Sequence, residues 1–122
     1  MAIRGIRGAT TVSMDQPDLI HQATQELLEA ILKANRGMTT AEIASVLFTV
    51  TDDLVSTFPA QAARQMGWDS VPMLCAREIP VPGSLPRVIR VLIHWNTDAP
   101  ASEVNHVYLH EAVKLRPDLA TA

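Results

Sequence analysis

The sequence predicts one small α+β domain over residues 1–122, a mixed β-sheet packed with helices. Three observations predict it. Residues 15–37 carry apolar side chains at helical spacing. Several short runs rich in Val, Ile, Leu and Thr are bounded by Gly, Pro and Asp turn signals. The chain of 122 residues is long enough for one compact core and too short for two.

The elements follow in order. Residues 2–12 open with glycines and end on Thr10, Thr11 and Val12, which predicts a first strand. Period-two geometry puts Arg4 and Arg7 on opposite faces, so they cannot share a site. Gly5 and Gly8 weaken the strand but permit close approach of another backbone or a ligand. "DQPDLIHQATQELLEAILKANRG" reads as the main helix, with Asp15 as its cap, Pro17 and Asp18 in its first turn and Gly37 as its stop. Ile20, Ala23, Leu27, Ala30, Ile31 and Ala34 are its expected buried face. "TTAE" has capping-box spacing and opens a second, shorter helix. "SVLFTVT" is a strand entering a turn at Asp52 and Asp53. "FPAQAARQMG" is a short helix between Pro59 and Gly67. "VPMLC" and "RVIRVLIHWNT" are strands, and "HVYL" and "AVKL" are short β-like stretches. Several strands are apolar on both faces, so the sheet needs covering on both sides. With only one long helix, oligomerisation follows as an expectation.

Composition excludes several classes. Hydrophobic residues make up 48% and charged residues 19% of the chain, as in a globular domain. The net charge of −3 gives no electrostatic reason to expect nucleic-acid binding. No apolar run is long enough to span a bilayer, and "MAIRGIRGATT" lacks a signal-peptide core. A cytoplasmic protein with no membrane partner is therefore expected. The single cysteine, Cys75, excludes an internal disulfide framework.

The chemistry begins with Arg90, a guanidinium inside the apolar run "IRVLIHWNTD". Val88, Arg90, Leu92 and His94 share one strand face, and Ile89, Val91, Ile93 and Trp95 share the other. Both faces are largely apolar, so Arg90 is expected to be at least partly buried. A buried guanidinium needs an anion. A structural pair with Glu78 or Asp98 and a ligand carboxylate are equally open from the residues alone. Arg7, Arg64 and Arg116 flank element boundaries. Each is most simply a solvated surface residue, yet together they suit a dicarboxylate. Cys75 lies three residues before Glu78, on the opposite face of a regular strand, so one ligand would reach both only across a bulge. His106 and His110 stand four apart without a zinc-protease pattern, and no metal site is expected. Phosphate loop, dinucleotide fingerprint and nucleophile elbow are all missing.

Four separated segments carry a resemblance that these rules do not. "IRGIRGATTV", "FPAQAAR" followed by "GW", "VPMLCAREIPVPGSLPRVIRV" and "HVYLHEAVKLRPDL" closely resemble the monofunctional, trimeric α/β type of chorismate mutase, from Met1 to about Leu119. The resemblance implies a ferredoxin-like, pseudo-α/β-barrel homotrimer with sites between subunits. It implies the Claisen rearrangement of chorismate to prephenate in phenylalanine and tyrosine biosynthesis, with no cofactor and no covalent step. Arg90 matches the arginine at the ether oxygen, and Glu78 and Cys75 match the contacts to the ring hydroxyl. Arg7 and Tyr108 match the pair that binds the side-chain carboxylate. Phe58, Ala60, Met73 and Leu115 match apolar wall positions, and Arg64 and Arg116 match arginines at the mouth. Two positions depart from the pattern. Gln61 stands where a lysine is expected, and Leu74 replaces a small polar residue whose backbone contact alone would survive. Any closing role of the C-terminus must rest on the stretch around Arg116. A non-catalytic trimeric module binding a small carboxylate is the alternative, since fold does not fix function.

Overall fold

The structure, a computed structural model, describes residues 2–119; the three residues of the tail after Leu119 that have no described placement lie outside it. Five strands form one mixed sheet: β1 (Ile3–Thr11), β2 (Ile43–Val50), β3 (Met73–Arg77), β4 (Val88–Asn96) and β5 (Val107–Tyr108). Their order is β3-β2-β4-β1-β5. β4 runs antiparallel to both β1 and β2, and β3 and β5 pair in parallel at the two edges. The first crossover is thus a split βαβ unit with β4 inserted, the device of ferredoxin-like sheets. This is the α+β domain that the sequence predicts.

Helix α1 (Pro17–Ala34) and helix α2 (Pro59–Gln65) lie on one face of the sheet. Leu27, Leu28 and Ile31 of α1, with Ala60 and Ala63 of α2, pack on Ile6, Phe48, Val91 and Ile93. Gly8 marks the closest approach. A Cβ there would lie 2.8 Å from Ile31 Cδ1 and 3.1 Å from Val91 Cγ1. The close approach expected at this glycine is therefore one of helix to sheet.

Several local expectations change. Asp15 does not cap α1: Gln16 holds that position, and the Asp15 carboxylate instead accepts the amides of Val55 and Ser56, 3.1 Å each. The Ser56 side chain first, and then these two amides, hold its pKa down. The buried stripe of α1 is Ile20, Thr24, Leu27, Leu28 and Ile31, so Ala23, Ala30 and Ala34 sit at its margins. The helix ends on Asn35, and Gly37, at φ +86°, makes the turn beyond it. The capping box of Thr39 and Glu42 forms but encloses a single 3-10 turn. "AVKL" is no strand: it belongs to a 3-10 segment, His110–Leu115. The turn residue His110, at φ +53°, folds that segment back over Ala9 and Val88. Such a left-handed backbone costs a non-glycine residue about 1–3 kcal/mol. His110 is anchored by a 2.7 Å contact between its Nε2 and Glu26 of α1.

No described helix is long and apolar enough to cross a membrane.

Candidate active site

The sheet face turned away from the helices carries Arg7, Ala9, Thr49, Arg90 and Tyr108. Register places them together. Ala9 pairs with Arg90 on one side and Tyr108 on the other, and Arg90 pairs across β2 with Thr49. Arg7 lies one pair along, opposite Leu92. The strand alternation read from "RVIRVLIHWNT" therefore holds, while Arg4 goes elsewhere, its Nε donating to Ala99 O at 3.0 Å.

Arg90 is more open than the sequence suggests. Its side chain is 44% exposed, because α1 and α2 both cover the other face. Of the apolar neighbours counted in the sequence, Ile89, Val91 and Ile93 belong to the other face, and only Val88 and Leu92 share that of Arg90. Arg90 Nε lies 3.5 Å from Glu78 Oε1, and the Glu78 side chain is 23% exposed. Glu78 sits just past the end of β3, where its amide donates to Val50 O at 2.8 Å. Thr49 Oγ1 donates to its other carboxylate oxygen. Both readings of Arg90 thus meet at one place: Glu78 is its partner, and a cavity opens beside the pair. That cavity, about 220 Å³, is lined by Glu78, Ile79, Leu85, Val88, Arg90 and Leu115. Its apolar wall residues Val88, Leu85 and Leu115 pack into the cluster of Ala9, Tyr108 and Ala112. An ion pair this exposed contributes only about 0–1 kcal/mol to stability. Holding the fold together is a weak reason for it to exist.

The β5 edge brings three more groups. Arg7 is exposed, and among the described residues no carboxylate lies within salt-bridge distance of it. Arg116 follows the 3-10 segment and makes a forked pair with Asp118, Nε to Oδ1 at 3.1 Å and a terminal nitrogen to Oδ2 at 2.8 Å. The pair keeps the Asp118 carboxyl below its usual range. The Arg116 guanidinium is close enough to His106 to disfavour a positive charge on its ring. His106 Nδ1 accepts the Arg7 amide at 2.9 Å.

The remaining site residues lie elsewhere on the chain. Phe58, Ala60 and Arg64 belong to α2 or its entrance, and Met73, Leu74 and Cys75 belong to β3, the opposite sheet edge from β5. Phe58 is 68% and Leu74 74% exposed, Arg64 is exposed, and Ala60 is buried. Met73 and Cys75 turn toward the main core. The β2–β3 ladder is regular from Val46↔Met73 to Val50↔Arg77, so the bulge that would join Cys75 and Glu78 is absent. Within one chain these two side chains do not meet. Gln61 is exposed beside Thr57, whose hydroxyl donates to it at 3.3 Å.

Sequence reasoning passed over Thr49 and His106. Thr49 had a signal, being the polar residue at alternate spacing in "SVLFTVT". His106 was weighed only as a metal ligand. Its neighbour in that reading, His110, points to α1 instead.

Comparison with known proteins places the chain among relatives. The family described as chorismate mutase type I matches residues 3–119. Chorismate mutase AroH of Thermus thermophilus is 64% identical over 120 residues, covering 98% of both chains. Chorismate mutase AroH of Bacillus subtilis (strain 168) is 45% identical over 121 residues, 98% of this chain and 94% of that one. A solved chorismate mutase from Clostridium thermocellum superposes with TM-score 0.86 at 50% identity, covering 88% of this chain and 96% of that one. A family match over residues 3–119, with relatives 64% and 45% identical over nearly the whole chain, means that the chain belongs to the type I chorismate mutase family.

Proposed function

We propose that this chain converts chorismate to prephenate by conformer positioning and electrostatic stabilisation, with Arg90 as the principal catalytic group. The observation that carries the reading is the Arg90–Glu78 pair at 3.5 Å beside a cavity with apolar walls. In the rearrangement the ether C–O bond breaks as a C–C bond forms. Negative charge develops on the ether oxygen and positive charge on the ring. Arg90 donates to the first, and Glu78 faces the second and the ring hydroxyl. Arg7 and Tyr108 hold the side-chain carboxylate. No electrons leave the substrate, so no nucleophile, metal or cofactor enters the scheme.

Magnitudes fit this division of labour. A 10⁶-fold acceleration, the modest end for enzymes, needs about 8 kcal/mol. One preorganised donor at a developing oxyanion supplies about 3–4 kcal/mol. Holding the reactive conformer can supply the rest.

The same proposal includes a homotrimer with sites between subunits. Arg7, Glu78, Arg90, Tyr108, Leu115 and Arg116 would come from one chain. Phe58, Ala60, Arg64, Met73, Leu74 and Cys75 would come from its neighbour. Three observations support it. Arg7, Tyr108, Leu115 and Arg116 lie toward the β5 edge, whereas the second group lies on α2 and on β3 at the opposite edge. Phe58 and Leu74 are exposed apolar side chains beside the second group. The cavity of about 220 Å³ falls short of the roughly 300–1,000 Å³ of small-molecule sites. In such a site Cys75 and Glu78 no longer need to share a face. Work in the cytoplasm, in the shikimate pathway, rests on family membership and belongs to this proposal too.

The test is loss of chorismate absorbance on adding protein, with prephenate identified by acid conversion to phenylpyruvate. Turnover that disappears in Arg90→Ala, with oligomeric state unchanged, is the expected result. A folded protein that binds chorismate without converting it would favour the carboxylate-binding module.

A further inference from the structure

We propose that neutral His106 is a positioning residue for Arg7, its Nδ1 accepting the Arg7 amide hydrogen and so fixing the strand edge from which that guanidinium meets a substrate carboxylate. The inference rests on the reading of Arg7 as a carboxylate-binding residue. The bond is 2.9 Å long and joins residues 99 apart in sequence. It lies immediately before the short parallel ladder in which Gly8 pairs with Val107 and Ala9 with Tyr108. His106 thus extends by one side-chain bond a pairing that has only two residues of backbone. It ties Arg7 and Tyr108, the two carboxylate-binding residues, into one register.

The imidazole is itself held. The neighbouring Asn105 donates its amide to Asn35 Oδ1 at 2.8 Å and accepts from Asn35 Nδ2 at its carbonyl at 2.9 Å. Asn35 is buried at the end of α1. His106 therefore hangs from a backbone pinned to the main helix, and its ring reaches the amide of a strand residue.

The protonation state follows from the bond. A backbone N–H needs an unprotonated nitrogen, so Nδ1 carries the lone pair and Nε2 the hydrogen. Protonation would put an N–H against an N–H. The charged groups around the ring favour the neutral form. Arg7 faces it from β1, and Arg116 faces it from the C-terminal segment with Asp118 bound to Arg116. The α1 residue that reaches this loop, Asn35, is uncharged. Burial first, then these two guanidiniums, depress the His106 pKa below that of a free imidazole. An imidazolium acting only as extra positive charge would tighten an anionic substrate as pH falls. A positioning imidazole does the reverse.

His106→Asn separates the two, because the Asn side-chain oxygen can stand where Nδ1 stands and does not titrate. The wild-type kcat/KM should fall on the acid side with a one-proton limb, roughly tenfold per pH unit. His106→Asn should keep its KM at pH 8 to within about threefold and lack that limb, since a retained hydrogen bond costs little. His106→Ala should have a KM up to about tenfold above that of the wild type at pH 8, with no acid limb of its own and kcat little changed. NMR of the full chain adds a readout independent of activity. The Arg7 amide proton should shift as His106 titrates in the wild type and stay fixed in His106→Asn. An acid limb that persists in His106→Asn, or an Arg7 amide indifferent to His106 protonation, would overturn the proposal. A titrating Arg7 amide with KM unmoved in His106→Ala would also overturn it. In that case the failure would lie in the Arg7 assignment, not in the hydrogen bond.

Discussion

The two faces of the sheet are built from the same strands and do opposite work. On the helix face Ile6, Gly8, Val91 and Ile93 are closed under α1 and α2. On the other face their chain neighbours Arg7 and Arg90 are exposed. One step along β4 moves from a charged side chain beside a cavity to a buried valine. Period two separates chemistry from stability within single strands. Substitutions one residue apart should therefore fail in different assays.

The largest expected effect tests that separation at β4. Arg90→Ala should lower kcat/KM by at least about 10³-fold, more than 4 kcal/mol at the transition state. It should leave the melting temperature nearly unchanged, because the exposed pair with Glu78 is worth about 1 kcal/mol or less. A large drop in melting temperature would show that the open face also carries stability.

On the helix face the pattern inverts. Ile31→Ala removes a fully buried side chain that packs against Gly8 and should cost about 2–5 kcal/mol of unfolding free energy. The folded fraction should retain its kcat. Gly8→Ala sharpens the same point from the strand side. Its new methyl must displace the ends of Ile31, Val91 and Leu27, which lie 2.8, 3.1 and 3.3 Å from the Cβ position. Overpacking of this kind costs about 1–3 kcal/mol, read from denaturant midpoints.

The smallest effect is the pH dependence of stability. His106 has a lowered folded pKa, so the unfolded chain takes up the proton more readily. Its contribution is fully present above the free imidazole value and is lost as pH falls toward the folded value. Asp15, also lowered, adds a second loss in more acid solution, as pH falls from its ordinary value of 3.8. Unfolding midpoints across this range should show the first loss in the wild type and lack it in His106→Asn.

The strands and main helix were legible because their apolar spacing is set by the same period that the backbone uses. β4 matches its sequence reading, and so does the segregation of Arg90 from Val91. Asp15 shows where local rules stop: it has the composition of a cap, but two amides from a loop 40 residues away claim its carboxylate. The "AVKL" stretch fails for a related reason. A left-handed His110 tied to Glu26 folds it into 3-10 turns, and neither feature leaves a trace in local propensity. The exposure of Arg90 was missed because Val88 and Leu92 make its own face apolar too, yet α1 and α2 both lie on the other face. The site itself was legible mainly through family resemblance. Residue types alone left the Glu78 partner and a ligand as equal readings of Arg90. Glu78, lying past the strand end, reaches Arg90 across Thr49, a path that no spacing rule describes.

The central claim is that positive charge on the open face at Arg90 drives the reaction. Replacing Arg90 by citrulline in semisynthetic protein keeps nearly the same shape and removes the charge. Measured as kcat for chorismate loss, the account expects a fall of about 10²–10³-fold or more with the fold intact. Turnover close to that of the wild type would contradict it and leave shape alone as the source of catalysis.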